Sequence, residues 1–337
     1  MGGTIGANTL HRMSRPATQV EFLILGTGWA SEFLITLLKS SEVSFAATSR
    51  DGREGTIPFN FDPSSGDVEQ YKSLPDATTV LITFPVTENV KALVDGYNRT
   101  RSGIGDVGAN WIQLGSTGSF AQVRLCLAPL TLFSYGNDVS KQVSGWVDRH
   151  TDIEPVPRSV QETELFKCAS ATVLHLAGLW GGKRNPVHWV QKIAPNKSAL
   201  AAKVGFAFSC YNSLISHPIG SPQGSLHLVH GEDVARSILA AHRNFDRLGG
   251  QRWCLTDLRV YDWWELVSSW TPSAQNGECD ATENPRLWVK QLMAERGVRA
   301  LPRPSEHLGR TLDSREFWEA VGITPGVTLH SPVAYLA

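Results

Sequence analysis

Val20-Glu21-Phe22-Leu23-Ile24-Leu25-Gly26-Thr27-Gly28-Trp29-Ala30-Ser31 decides how the rest of the chain is read. Six mostly apolar residues ending at a glycine predict a strand buried on both faces, because a half-solvated strand would alternate apolar and polar side chains. Past Gly28 the spacing changes, and Phe33, Leu34, Leu37 and Leu38 recur at helical intervals over residues 29–39. Strand, glycine turn and helix therefore follow without a break. Gly26 permits the tight turn and Gly28 lets a phosphate group approach the backbone at the helix N-terminus, where N–H groups have no intrahelical partner. Gly26 and Gly28 are the first two glycines of a G-x-G-x-x-G phosphate-binding fingerprint, and Ser31 takes its third position, small enough to preserve close helix packing.

Outward from this unit the pattern repeats. Buried-strand signals fall at 43–48, 79–84, 111–115, 172–176 and 252–256, with helical stretches at 67–73, 88–98, 159–168 and 232–244 between them. Such alternation predicts an α/β protein with a doubly wound parallel sheet, a Rossmann fold. After Leu176 the rhythm loosens into Gly178-Leu179-Trp180-Gly181-Gly182, is restored by a strand-like 225–229 and the next helix, and is lost again from Tyr261 onward. The expected organisation is a disordered extension over 1–18, a nucleotide-binding core over 19–178 and 223–258, and a small discontinuous substrate lobe over 179–222 and 259–337. Residues 121–144 fit badly and read in two ways. They form either a lid or a gene-model artefact, since Gln122-Val123-Arg124 can be encoded as a splice donor and Gln142 as an acceptor.

Composition narrows the partners. The chain carries 31 basic and 32 acidic residues, net −1, so no overall field draws it to nucleic acid or anionic lipid. No apolar run reaches the roughly 18 residues needed to span a bilayer. Five scattered cysteines, an odd number without a Cys-x-x-Cys, suit free thiols in a reducing compartment. The expectation is a cytoplasmic protein with a small-molecule partner and neither a nucleic-acid nor a membrane partner, a homodimer being left open.

The second strand ends at Thr48-Ser49-Arg50, with Arg53 close behind. A site selective for NAD(H) offers Asp or Glu here to the ribose hydroxyls, whereas arginine grips a 2′-phosphate. The expected cofactor is NADP(H) in preference to NAD(H), bound by Gly26, Thr27, Gly28, Trp29, Ser49, Arg50 and Phe84.

Together with Gly115-Ser116-Thr117-Gly118, Gly145-Trp146-Val147-Asp148, Glu162 with Leu165, Leu228-Val229-His230-Gly231-Glu232-Asp233-Val234-Ala235 and Arg310-Thr311-Leu312-Asp313-Ser314, the loop resembles the atypical or extended short-chain dehydrogenase/reductase superfamily, in its NAD-dependent epimerase/dehydratase-like branch. The resemblance runs from about residue 19 to residue 325. It implies catalysis by a Ser/Thr after a central strand, matched by Ser116 and Thr117, and by a Tyr-x-x-x-Lys pair that moves a proton while hydride passes to or from nicotinamide. The chain has no Tyr-x-x-x-Lys: the lysine position falls at Arg158 and the tyrosine position at Glu154. Arginine orients a ribose or stabilises an oxyanion but is a poor proton carrier. The expected catalytic set is therefore Ser116, Thr117 and Arg158, with Glu162 as a further candidate for proton transfer. The implied activity is an oxidoreductase or epimerase/dehydratase-like enzyme acting on a small carbonyl or hydroxyl metabolite. Its rivals are a catalytically lapsed sensor or scaffold and a redox-neutral isomerase or cyclase.

His227-x-x-His230 before Glu232 and Asp233 lacks the spacing of a zinc-protease helix and reads as structural, so no metal is expected. Trp253, Trp263, Trp264, Trp270 and Trp288 read as core, while Trp180, Trp189, His188 and Tyr211 are pocket candidates.

Overall fold

A computed structural model describes residues 19–101, 108–120, 146–203, 223–271 and 284–331. The expected N-terminal extension, the 121–144 segment and Tyr211 lie outside the described residues. Among the described residues, seven strands make one sheet: β1 (Gln19–Leu25), β2 (Phe45–Ser49), β3 (Ile57–Pro58), β4 (Asp76–Ile82), β5 (Asn110–Ser116), β6 (Ala171–Leu176) and β7 (Arg252–Leu255). Their spatial order is β7-β6-β5-β4-β1-β2-β3, with every neighbouring pair parallel. The order reverses between β1 and β4, and in such sheets ligands sit beyond the strands' carboxyl ends at that point.

Side-chain alternation explains the two layers of helix. On β1, Phe22 and Ile24 enter one apolar cluster while Leu23 and Leu25 enter another. The first face is covered by α1 (Trp29–Ser40) through Leu34 and Leu38, by α4 (Gly231–Arg243) through Val234, Ile238 and Ala241, and by α5 (Arg315–Val321) through Phe317 and Trp318. The second is covered by α2 (Val90–Arg99) through Val90, Leu93, Val94 and Tyr97, and by α3 (Pro157–Cys168) through Leu165. Wholly buried strands need apolar residues on both faces, which is why the run at 20–25 lacks a polar stripe.

The predicted helix at 67–73 is reduced to Glu69–Lys72. Asp67 Oδ1 accepts from the Glu69 N–H at 2.8 Å, and Pro75 disfavours helical backbone just before it. The strand-like 225–229 is likewise broken, into Ser225–Leu226, antiparallel to Tyr261–Asp262, and Leu228–His230, parallel to Gly178–Trp180. Between them His227 turns inward, its Nδ1 facing Arg259 O at 3.1 Å and its Nε2 accepting the Leu312 N–H at 3.1 Å. Trp253, Trp263, Trp264 and Trp288 are buried in cores, and Trp270 packs partly buried against one of them. Among the described residues, no helix is long and apolar enough to cross a membrane, and no group of three or more metal-ligating side chains gathers.

Candidate active site

A cleft of about 970 Å³ opens along the glycine loop, the ends of β2, β4, β5 and β6, and the start of α3. Its base is the Gly26–Ser31 turn. Gly26 has φ +94°, in the left-handed region, and an added Cβ would lie 2.8 Å from Thr83 Oγ1 and 3.1 Å from Phe84 Cδ1. The turn is held from three sides: the Gly26 N–H donates to Thr48 Oγ1 at 3.0 Å, while Ser31 Oγ and Thr83 Oγ1 donate to Gly26 O at 3.0 and 2.8 Å. Ser31 thus fastens the loop besides allowing close packing. Gly28 differs, because nothing lies within 4 Å of where its Cβ would stand. It is also the N-cap of α1 and gives the helix no side-chain cap. Thr27 Oγ1 is buried without a hydrogen-bond partner. An uncapped helix start, room beside Gly28 and an unspent hydroxyl fit a diphosphate.

At the end of β2, Ser49 is buried and its hydroxyl is spent on local structure. It lies 3.0 Å from Asp51 Oδ1 and 2.7 Å from Thr56 Oγ1, and accepts the Arg53 N–H at 3.1 Å. Arg50 is exposed and lines the cleft, as do Arg53 and Asp51. Arg53 Nη2 donates to Thr27 O at 3.4 Å. The hydrogen bond from Ser49 holds the exposed Asp51 carboxyl below its usual range, so a negative charge stands among the arginines. Asp51 is a cleft residue that the sequence pattern alone does not mark, although it directly follows Arg50.

At the opposite end Leu114, Gly115, Ser116, Arg158 and Leu176 line the cleft, with Phe84 nearer the loop. Ser116 Oγ accepts the Gly118 N–H at 3.2 Å, leaving its own proton for an incoming oxygen. Arg158 Nη2 donates to Leu114 O, and its Nε lies 3.7 Å from Glu162 Oε1. Burial lowers the Arg158 pKa and the Glu162 carboxylate opposes that shift. Thr117 and Glu162 do not line the cleft. Thr117 is buried, and its carbonyl accepts from Arg310 Nη1 at 3.1 Å.

Glu162 is fully buried behind Arg158, 2.9 Å from His175 Nε2 and 3.6 Å from Arg252 Nε. It holds cations in the sheet–helix interface rather than facing a substrate. A glycine at 115 makes room for this cluster, since a Cβ there would stand 2.5 Å from His175 Cδ2. The only hint of His175 in the sequence is a lone histidine inside an apolar strand.

Glu154 precedes α3 on non-helical backbone, its N–H bonded to Ser119 O at 2.9 Å. Pro155-Val156-Pro157 stops the helix from extending back to it, so Glu154 and Arg158 do not share a helical face. Of the segment after β6, Leu179 and Arg184 reach the cleft, whereas Trp180, Trp189 and His188 do not line it. Asp51 and Glu88 are the only carboxylates among the described lining residues, and no Tyr, Lys or His joins them.

Fold and cleft together define a Rossmann-type α/β protein. A short-chain dehydrogenase/reductase superfamily protein from Agrobacterium tumefaciens with bound NAD superposes with a TM-score of 0.52 at 10% identity, over 91% of this chain and 93% of that one. A Methylobacillus flagellatus protein described as an NAD-dependent epimerase/dehydratase gives 0.52 at 12% identity, over 93% and 94%. MoeE5 in complex with UDP-glucose and NAD gives 0.51 at 14%, over 92% and 94%. The fold is therefore the one these proteins share. No family model and no curated protein matches the sequence.

Proposed function

We propose that this chain is a nicotinamide-dinucleotide-binding oxidoreductase or epimerase/dehydratase-like enzyme, acting on a small carbonyl or hydroxyl metabolite, with NADP(H) preferred over NAD(H). One observation carries the reading: Gly28 leaves open space at the uncapped start of α1, inside a cleft that Ser116 and Arg158 also line. Gly26, Thr27 and Gly28 cradle the pyrophosphate, and Trp29 and Phe84 wall it. Bound there, a nicotinamide ring supplies or accepts hydride. Ser116 donates a hydrogen bond to the reacting oxygen. Arg158, pinned by Leu114 O and backed by Glu162, sets a positive charge where an oxyanion develops. For the ribose end, Arg50 and Arg53 outweigh the single charge of Asp51, which supports a 2′-phosphate.

Calorimetric titration with NADPH and NADH tests the cofactor. Tighter NADPH binding, reduced about tenfold by Arg50→Ala, is the expected result; equal affinities would remove the NADP(H) preference. Nicotinamide absorbance followed across a carbonyl panel tests turnover, and Ser116→Ala should abolish most of it. A second reading, a catalytically lapsed sensor or scaffold, is favoured by the absence of Tyr, Lys and His from the described cleft lining. Tight NADPH binding with no turnover on any substrate would select it.

A further inference from the structure

Arg184 comes from the turn after Gly178–Trp180, about 155 residues from the glycine loop in sequence, yet its guanidinium lies 4.7 Å from the centroid of the Trp29 ring. Both side chains line the cleft with Gly26 and Gly28. Trp29 is not free to swing, because its Nε1–H donates to Gly181 O at 3.0 Å and Phe33 meets its ring edge-on at 5.1 Å. The turn is equally fixed: Gly181 and Arg184 exchange N–H···O bonds of 2.9 and 3.1 Å around Gly181 and Gly182, whose φ values are +106° and +54°. Among the described residues no carboxylate lies within 4.0 Å of Arg184. A guanidinium laid on an aromatic face keeps its outer N–H groups free and loses little freedom on meeting an anion.

We propose that Arg184, carried on the Trp29 ring, is a second phosphate-binding element that clamps the dinucleotide's pyrophosphate from the side opposite to the backbone of the glycine loop. This rests on the dinucleotide reading under Proposed function and adds to it a side-chain ligand from a distant segment. The pyrophosphate is favoured over a phosphate on the substrate because Trp29 directly follows Gly28, so the platform belongs to the turn that cradles the diphosphate. Trp29 then has a double role, closing the loop against Gly181 and presenting the cation.

Full-length wild type, Arg184→Gln, Trp29→Leu and the double variant are titrated calorimetrically with NADPH, ADP and adenosine, with circular dichroism as the folding control. Arg184→Gln should weaken NADPH and ADP about tenfold, the loss of one charge-assisted contact, and leave adenosine unchanged. Arg184→Lys should recover only part of the loss, because an ammonium does not lie flat on the ring. In the Trp29→Leu background the further cost of Arg184→Gln should shrink, as expected if the ring presents the guanidinium; the unchanged adenosine affinity separates this from a merely structural role, which would weaken all three ligands. Unchanged NADPH and ADP affinity in a folded Arg184→Gln protein overturns the proposal. If that variant instead loses only the binding of inorganic phosphate to the NADPH-loaded protein, the clamp belongs to the substrate and the proposal also fails. A wild type that binds none of NADPH, NADH and ADP overturns the dinucleotide reading itself.

Discussion

Gly26 and Gly28 stand two residues apart in one loop and should answer substitution differently. Alanine at Gly26 meets Thr83 Oγ1 and must hold a left-handed backbone, so Gly26→Ala is expected to lose about 1–3 kcal/mol in urea unfolding. Gly28→Ala puts its methyl into open space and should cost no more than about 1 kcal/mol, the loss of a glycine N-cap, while calorimetry should show weakened NADPH binding. Removing Glu162 acts through charge rather than shape. Glu162→Ala leaves Arg158, Arg252 and His175 without their shared carboxylate, and breaking a buried pair costs about 3–5 kcal/mol. Urea unfolding checks that figure, and a negligible loss would mean that the cluster is not held by this carboxylate. In the sequence Glu162 stands out as a titratable group on a helix near Ser116. Nothing local tells which side of that helix is solvated, because the answer depends on β6 and on Arg252, ninety residues downstream.

At the level of elements, the sheet is legible wherever a strand is buried on both faces, since a short apolar run bounded by glycine or polar residues can be buried in few ways except inside a sheet. The run at 225–229 has the same pattern and is two strands, because His227 finds its partners at Arg259 and Leu312, beyond any window of local sequence. That burial has a pH signature. Desolvation, reinforced by Arg310, pushes the His227 pKa from 6.5 down to about 4. Below pH 6.5 the unfolded chain takes up a proton that the native ring refuses, so this group's contribution is full above 6.5 and is lost as pH falls toward 4, by about 3 kcal/mol. Asp257, just past β7, works in the opposite sense. Burial raises its carboxyl from 3.8 to about 7 against the hydrogen bond from Tyr261. The native state keeps a proton that the unfolded state releases, so stability declines as pH rises through that interval. Unfolding free energies measured from pH 4 to 7 should show the advantage of wild type over His227→Gln shrinking as pH falls. Asp257→Asn should gain on wild type as pH rises.

For the whole molecule, the cleft gathers residues from several segments far apart in sequence, and legibility falls with that distance. The loop at 26–31 can be read because strand, turn and helix are contiguous, whereas the approach of Arg184 to Trp29 has no sequence signal. Binding should be visible as global stabilisation. NADPH at 100 times its dissociation constant is expected to raise the unfolding free energy by about 2.7 kcal/mol, and a melting temperature indifferent to NADPH would contradict a specific site. Among the described residues, elements late in chain order pack with the earliest. Phe317 and Trp318 of α5 pack into the cluster that holds Phe22 and Ile24. Arg310 reaches the carbonyl of Thr117, and Asp233 on α4 accepts the N–H groups of Gly326 and Val327 at 2.8 and 2.9 Å. During synthesis, one layer over the sheet therefore stays incomplete until residues beyond 310 have left the ribosome. For that interval the part of the sheet face that α5 covers stays open beside α1 and α4, and transiently exposed apolar surface of this kind favours capture by chaperones until α5 docks.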